Sequence, residues 1–191
     1  MSEPCPVPPQ YARRYRWDAI AAVVASLIGL LALLVSGYTA YVERQQVRAQ
    51  VWPYLLVGYS DTAQAVVVLN KGAGPALVRS VQLLVDGKPQ RDWEQLFTSI
   101  GAQGSDDSVK STLNGNVLAP GETLEFLHMP DRELWQDFRT ESHSRLVMRV
   151  CYCSSLGDCW LNADRDDPEP VAQVQPVDAC PHLAPEAMFD G

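Results

Sequence analysis

LNKGAGPALVRSVQLLVDGK, from Leu69 to Lys88, sets a turn with two glycines between two apolar runs. Such a turn either cradles a phosphate or redirects the chain, and the two outcomes imply different proteins. A dinucleotide loop needs a third glycine and an ensuing helix, because the anion rests on the helix N-terminus and the last glycine lets helix and strand approach. Leu77 occupies the third-glycine position, the residues after it alternate with period two, and no Walker loop is present. The stretch therefore reads as strand, turn, strand. Asn70 is suited to bond nearby backbone groups, Gly72 and Gly74 are expected to supply positive φ, Pro75 fixes its own φ, and Ala76 permits close packing.

Outward from this turn the chain continues as short strands. Upstream, "WPYLLVGYS" and "QAVVVLN" are rich in β-branched and aromatic residues and are joined by the polar turn "DTA". Downstream, Ala76–Val85 is expected to place Leu77, Arg79, Val81, Leu83 and Val85 on one face before "DGK" closes the run. "RDWEQLF" suits one or two helical turns, whereas "GAQGSDDSVKSTLNGN" has little to bury and reads as a mobile surface loop. "LAPGETLEFLHM" gives a Pro-Gly turn and a strand with Leu124, Phe126 and His128 on one face, and "DRELWQDFRTE" gives a short helix. The final pair, "RLVMRVCYC" and "CWLNAD" around "SSLGD", forms a hairpin with Leu146, Met148, Val150 and Tyr152 inward. Six or seven short strands with few long helical patterns predict a mainly β chain, an antiparallel β-sandwich with one or two short helices.

The order "WPYL", strand, "NKGAGPA", strand, "DGK" resembles a group of mostly uncharacterised single-span bacterial membrane proteins. In that group an Asn-x-Gly-x-Gly-Pro-Ala turn joins strands of an immunoglobulin-like β-sandwich. The likeness covers Trp52 to Lys88 closely and "LAPGET" loosely. It implies an immunoglobulin-like fold and membrane tethering, and it implies no known reaction.

Tethering also follows from the residues themselves. Between Asp18 and Glu43 lie 24 residues without a charge, "AIAAVVASLIGLLALLVSGYTAYV". As a helix this segment spans about 36 Å, enough for a hydrocarbon core of about 30 Å with some tilt. Trp17, Tyr38 and Tyr41 sit where interfacial aromatic belts form. A cleaved signal peptide has an apolar region of only about 7–15 residues and a small-x-small cleavage site, and Tyr38 spoils the nearest such site. The segment is therefore read as an uncleaved anchor. Arg13, Arg14 and Arg16 precede it against Arg44 and Arg48 after it, a narrow bias toward a cytoplasmic N-terminus. Ala21, Ala25 and Gly29 recur every four residues, as do Ala32, Ser36 and Ala40, forming stripes on which a second helix could pack.

The cysteines bear on the side of the membrane. Cys151, Cys153, Cys159 and Cys180 give an even number beyond the anchor, while Cys5 lies alone in a proline-rich N-terminus. With the hairpin turn centred on Leu156, Cys153 faces Cys159, which leaves Cys151 to pin the tail through Cys180. Two disulfides require an oxidising compartment. A zinc site using these thiolates with His143 or His182 lacks the usual Cys-x2-Cys knuckle. A redox pair of the Cys-x-x-Cys kind is likewise missing, with Arg149 its one basic neighbour in the strand.

Other functions find little support. The 191 residues carry a net charge of −8, and after residue 50 ten basic residues are scattered among twenty acidic ones, so no basic stripe could track nucleic acid. His128, His143 and His182 fall in no metalloprotease or nucleophile-elbow pattern. Asp164, Asp166, Asp167 and Glu169 lack the spacing and glycine of a calcium loop. No enzyme activity, cofactor or metal is expected.

The organisation expected is a cytoplasmic tail at 1–17, a transmembrane helix at 18–42 and a helical stalk at 43–50. An extracytoplasmic sandwich at 51–163 and an acidic, mostly irregular tail at 164–191 follow. The chain is expected in the bacterial inner membrane, as an interaction or structural module of an envelope complex with a protein partner or a second copy of itself. The alternative is a tethered sensor or ligand-binding module whose sandwich recognises a small molecule or a cell-wall component in a pocket lined by aromatics such as Trp93, Trp135 and Trp160. A metal-dependent domain built on the cysteines comes third.

Overall fold

The computed structural model describes residues 10–104, 106–163 and 174–190, with side chains from residue 17 onward. Contacts divide the chain into two units, Met1–Val47 and Arg48–Gly191. The fold is mixed: one long apolar helix, then two antiparallel sheets with two short helices.

Helix α1 runs unbroken from Gln10 to Gln50, covering both the expected span and the stalk. Pro53 fixes the end, since the residue before a proline is pushed out of the helical region and Trp52 precedes it. Its apolar side chains are exposed on every side, from Ile20 through Leu27, Leu31 and Leu34 to Tyr38. A helix apolar all round needs an apolar surrounding, and α1 is long and apolar enough to cross a membrane. Its hydroxyls suit such a medium: Ser26 donates to the Ala22 carbonyl at 2.8 Å and Thr39 to that of Val35 at 3.0 Å.

The second unit contains β1 (Leu55–Ser60), β2 (Ala65–Asn70), β3 (Ala76–Val85), β4 (Lys88–Gln90), α2 (Trp93–Ile100), β5 (Val109–Lys110), β6 (Val117–Leu118), β7 (Thr123–His128), α3 (Arg132–Ser142), β8 (Leu146–Cys153), β9 (Cys159–Ala163) and β10 (Val174–Val177). One sheet has the order β1-β2-β7-β5; the other runs β10-β9-β8-β3-β4, with β6 also on β3. All pairings are antiparallel. Leu55, Val66, Val68 and Phe126 from the first sheet meet Val78, Val81, Met148, Val150 and Tyr152 from the second in one core, closed by Trp93, Leu96 and Ile100 of α2 and by Trp135 and Phe138 of α3. Both helices begin at an aspartate that accepts from free backbone donors: Asp92 from Gln95 N, Asp131 from Glu133 N and Leu134 N.

Bulges reset the alternation that the sequence suggested. In β3 the pairing with β8 shifts between Val78 and Ser80, so Arg79 is the inserted residue. Ala76 and Val78 face the core before it, and Val81, Leu83 and Val85 after it, while Leu77 is only half-buried and Arg79 is exposed. One extra residue moves every later side chain to the other face. A shift between Val66 and Val67 against β7 likewise buries Phe126 and Leu127 in succession and leaves His128 half-buried. The polar stretch expected as surface loop supplies β5 and the buried Leu113. The tail is also less irregular than expected. It contributes β10, and Phe189 is buried against Trp93 and Phe126 with its N–H on the Val81 carbonyl.

The opening turn departs from expectation in its glycines. Neither Gly72 nor Gly74 has a positive φ; Asp86 and Gly87 in the β3–β4 turn do, as a tight hairpin requires. Gly72 and Gly74 lie instead against the backbone entering β1. A Cβ on Gly72 would overlap the Trp52 carbonyl and the Tyr54 amide, and one on Gly74 would overlap Val51. The turn's N–H groups use this proximity: Lys71 donates to Tyr54 O at 2.8 Å and Ala73 to Trp52 O at 2.9 Å. Gly74→Ala is expected to cost about 2–4 kcal/mol in urea unfolding, because backbone must move. Gly58→Ala, in β1 with nothing near a new Cβ, should stay within about 0.5 kcal/mol. Equal responses would contradict the close-approach explanation.

Candidate functional site

Asn70, the polar residue that the sequence singled out in the opening turn, lies at the end of the domain where residues 51–54 enter β1. Asn70, the last residue of β2, has no exposed surface. Its Oδ1 accepts from Gly72 N at 3.0 Å and Tyr54 N at 3.2 Å, and its Nδ2 donates to Gly74 O at 2.8 Å and Leu118 O at 3.0 Å. Pro75 follows as the chain enters β3, where Ala76 is fully buried opposite Leu118.

One residue beyond Tyr54, β1 is tied to the other sheet. Leu55 N donates to the Tyr152 hydroxyl at 3.3 Å, and the Leu55 carbonyl accepts from Asn162 Nδ2 at 2.7 Å. Tyr152 is fully buried with Trp160 stacked on it at 6.0 Å. Burial pushes the Tyr152 phenol up to about 12, a rise that the Leu55 N–H opposes in part by favouring the phenolate.

Residues 151 and 153 flank Tyr152 on the opposite face of β8. The structure joins Cys153 to Cys159, its register partner across the hairpin, and Cys151 to Cys180 in the tail. These are the partners that centring the turn on Leu156 suggests. Closing loops of 29 and 6 residues stabilises the native state by about 3.6 and about 2.2 kcal/mol on chain-entropy reasoning. The sulfurs of Cys153, Cys159 and Cys180 lie within 4.8 Å of one another. Cys151, Cys153, Cys159 and Cys180 are all bridged, so among the described residues no cysteine thiolate is left for a metal in this state, and His143 and His182 are not part of the sulfur group.

A second polar constellation fastens α3 to the first sheet. Asp61, in the β1–β2 turn, accepts from Trp135 Nε1 at 3.1 Å and Arg139 Nε at 3.3 Å, while the Arg139 guanidinium lies 4.0 Å over the Tyr59 ring. A third caps α2. Arg145 donates to the carbonyls of Ser99 and Ile100 at 3.0 and 2.9 Å and pairs with Asp86 at 2.8 Å. That hydrogen bond holds the Asp86 carboxyl below its usual range. Neither constellation was legible in the sequence, since each joins residues more than forty positions apart.

The three tryptophans expected around one pocket occupy separate places. Trp93 lines a core cavity of about 10 Å³ together with Tyr59, Val66, Phe126 and Met148. Its Nε1 has no hydrogen-bond partner among the described residues. Trp135 is engaged by Asp61, and Trp160 lies on β9 beside Tyr152. His128 pairs with Ala65 and Val109 in the sheet, His143 ends α3, and His182 is exposed. Ala21, Ala25 and Gly29 are exposed along α1, and nothing among the described residues packs on Gly29. Cys5 and the acidic run Asp164, Asp166, Asp167 and Glu169 lie outside the described residues. Comparison with protein-family models, curated proteins and solved structures gives no match to this chain.

The Tyr152 environment makes a pH-dependent prediction. A phenol near 10 in the unfolded chain and about 12 in the folded one leaves its contribution intact below pH 10. Between pH 10 and 12 that contribution falls by up to about 2.7 kcal/mol, as the unfolded chain ionises first. Tyr152→Phe should flatten this alkaline arm in denaturation curves, at a cost near neutrality of about 1 kcal/mol for the unpaired Leu55 N–H. Superimposable alkaline arms for the two proteins would contradict it.

Proposed function

We propose that this chain is a single-span protein of the bacterial inner membrane with its N-terminus in the cytoplasm. Its immunoglobulin-like sandwich acts outside, as an interaction or structural module of an envelope complex and not as an enzyme. The observation that carries this reading is the combination, in one chain, of a helix apolar on every side with a domain closed by two disulfides. Disulfides persist where the compartment is oxidising, and a helix of this kind is at home in lipid. Two antiparallel sheets sharing one core, with the Asn70 turn crossing from one to the other, support the immunoglobulin-like assignment and the family resemblance.

A second reading, a tethered ligand sensor, is favoured by the unpartnered Trp93 Nε1 beside the core cavity. A cavity of about 10 Å³ accommodates roughly one water molecule, so a larger ligand would have to part the sheets. The interaction reading asks for no such movement.

Two measurements in native membranes test the proposal. Protease added to intact spheroplasts should degrade the cysteine-bridged domain without opening the cells; protection until lysis would reverse the orientation. Photocrosslinking from the domain surface should then capture a reproducible partner or a second copy. No discrete adduct, together with small-molecule stabilisation of the domain, would replace the interaction reading by the sensor.

A further inference from the structure

Cys153 Sγ lies 3.8 Å from Cys180 Sγ, although each is bonded elsewhere. The four sulfurs therefore form a continuous row: the Cys159–Cys153 bond, a sulfur–sulfur contact, then the Cys180–Cys151 bond. The row follows from local geometry. Cys151 and Cys153 are two apart on β8 and share a face, Cys159 is fixed opposite Cys153 by the hairpin register, and the tail lays Cys180 over both. Disulfide exchange requires a thiolate within reach of a disulfide sulfur and a leaving thiolate on its far side. Freeing Cys153 places a thiolate sulfur 3.8 Å from Cys180 Sγ, with Cys151 Sγ as the group that leaves.

We propose that this row is a thiol–disulfide exchange site that accepts an electron pair from a dithiol and stores it as thiols on Cys151 and Cys159. A thiolate of the dithiol attacks Cys159 Sγ, beside the turn at Leu156; a mixed disulfide forms, the Cys153–Cys159 bond breaks, and its electron pair leaves on Cys153 Sγ. The Cys153 thiolate attacks Cys180 Sγ, forming Cys153–Cys180 and releasing Cys151 as a thiolate that takes a proton from water. The second thiol of the reductant then attacks its own sulfur in the mixed disulfide, and Cys159 leaves as a thiol. The dithiol becomes a cyclic disulfide, and the protein gains two electrons and two protons. Throughout the transfer after the second step, the tail stays bonded to β8, through residue 153 in place of 151. The domain thus takes up reducing equivalents while Phe189 keeps its covalent tether to the core strand.

The test uses the full chain in detergent, on a Cys5→Ser background so that all thiols counted belong to the row. Less than one equivalent of dithiothreitol is added, followed by acid quenching, alkylation and peptide mapping. Chains that have taken up one electron pair are expected to carry alkyl groups on Cys151 and Cys159 and to yield a peptide pair joined through Cys153 and Cys180. Labels confined to Cys153 with Cys159, or to Cys151 with Cys180, would overturn the proposal. Cys159→Ser supplies an independent check, because it leaves Cys153 free without a reductant. A free thiol appearing at Cys151 supports exchange, and one found solely at Cys153 overturns it.

Discussion

Asn70 holds a neutral amide with no exposed surface and four hydrogen bonds, to Tyr54, Gly72, Gly74 and Leu118, while its own backbone N–H and carbonyl pair with Glu122 and Gly121. A buried amide is costly unless its donors and acceptors are met, and here both sides of the side chain are engaged. Those bonds gather the segment entering β1, the β2–β3 turn, and β6 around one atom group. Gly72 and Gly74 follow as a consequence: with Asn70 drawing the turn onto residues 51–54, a Cβ at either position has nowhere to go. The crossing from one sheet to the other is thus set by a single side chain and two missing ones.

From that fixed point the rest of the domain end is assembled in order. Leu55 is placed where its N–H reaches Tyr152 and its carbonyl reaches Asn162, which ties the first sheet to β8 and β9. Tyr152 faces inward, so Cys151 and Cys153 face outward, and the hairpin and tail close over them through the two disulfides. Core packing, backbone satisfaction and covalent closure therefore act on the same few residues of β8. The apolar α1 is long and apolar enough to cross a membrane, and its Ser26 and Thr39 hydroxyls are satisfied within the helix.

Much of this was legible in the sequence because it is governed by local periodicity. The uncharged run after Asp18, the strand Ala76–Val85, the inward set Leu146, Met148, Val150 and Tyr152, and the Cys153–Cys159 register all follow from spacing along one or two adjacent segments. What was missed depends on distant neighbours. Gly72 and Gly74 read as positive-φ residues because local sequence does not distinguish conformational need from the approach of another strand. The bulge at Arg79 has no marker such as a glycine, so the alternation was carried through it onto the wrong face for Leu77. Phe189 is a lone aromatic in a polar tail, and its place against Trp93 exists only once α2 and β7 are packed. The Asp61–Trp135–Arg139 and Asp86–Arg145 contacts likewise appear only in three dimensions.

The central claim is that the Asn70 amide, and not apolar packing alone, holds the sheet crossing together. It is tested most directly by equilibrium urea unfolding of Asn70→Ala and Asn70→Asp, followed by tryptophan fluorescence. Removing the amide leaves several backbone groups unpaired, so Asn70→Ala should lose about 3–5 kcal/mol. Asn70→Asp should lose at least as much, because the carboxylate keeps the acceptors, lacks the donors to Gly74 and Leu118, and brings in a buried charge. A loss below about 1 kcal/mol in either variant, with an unchanged denaturant slope, would contradict the account.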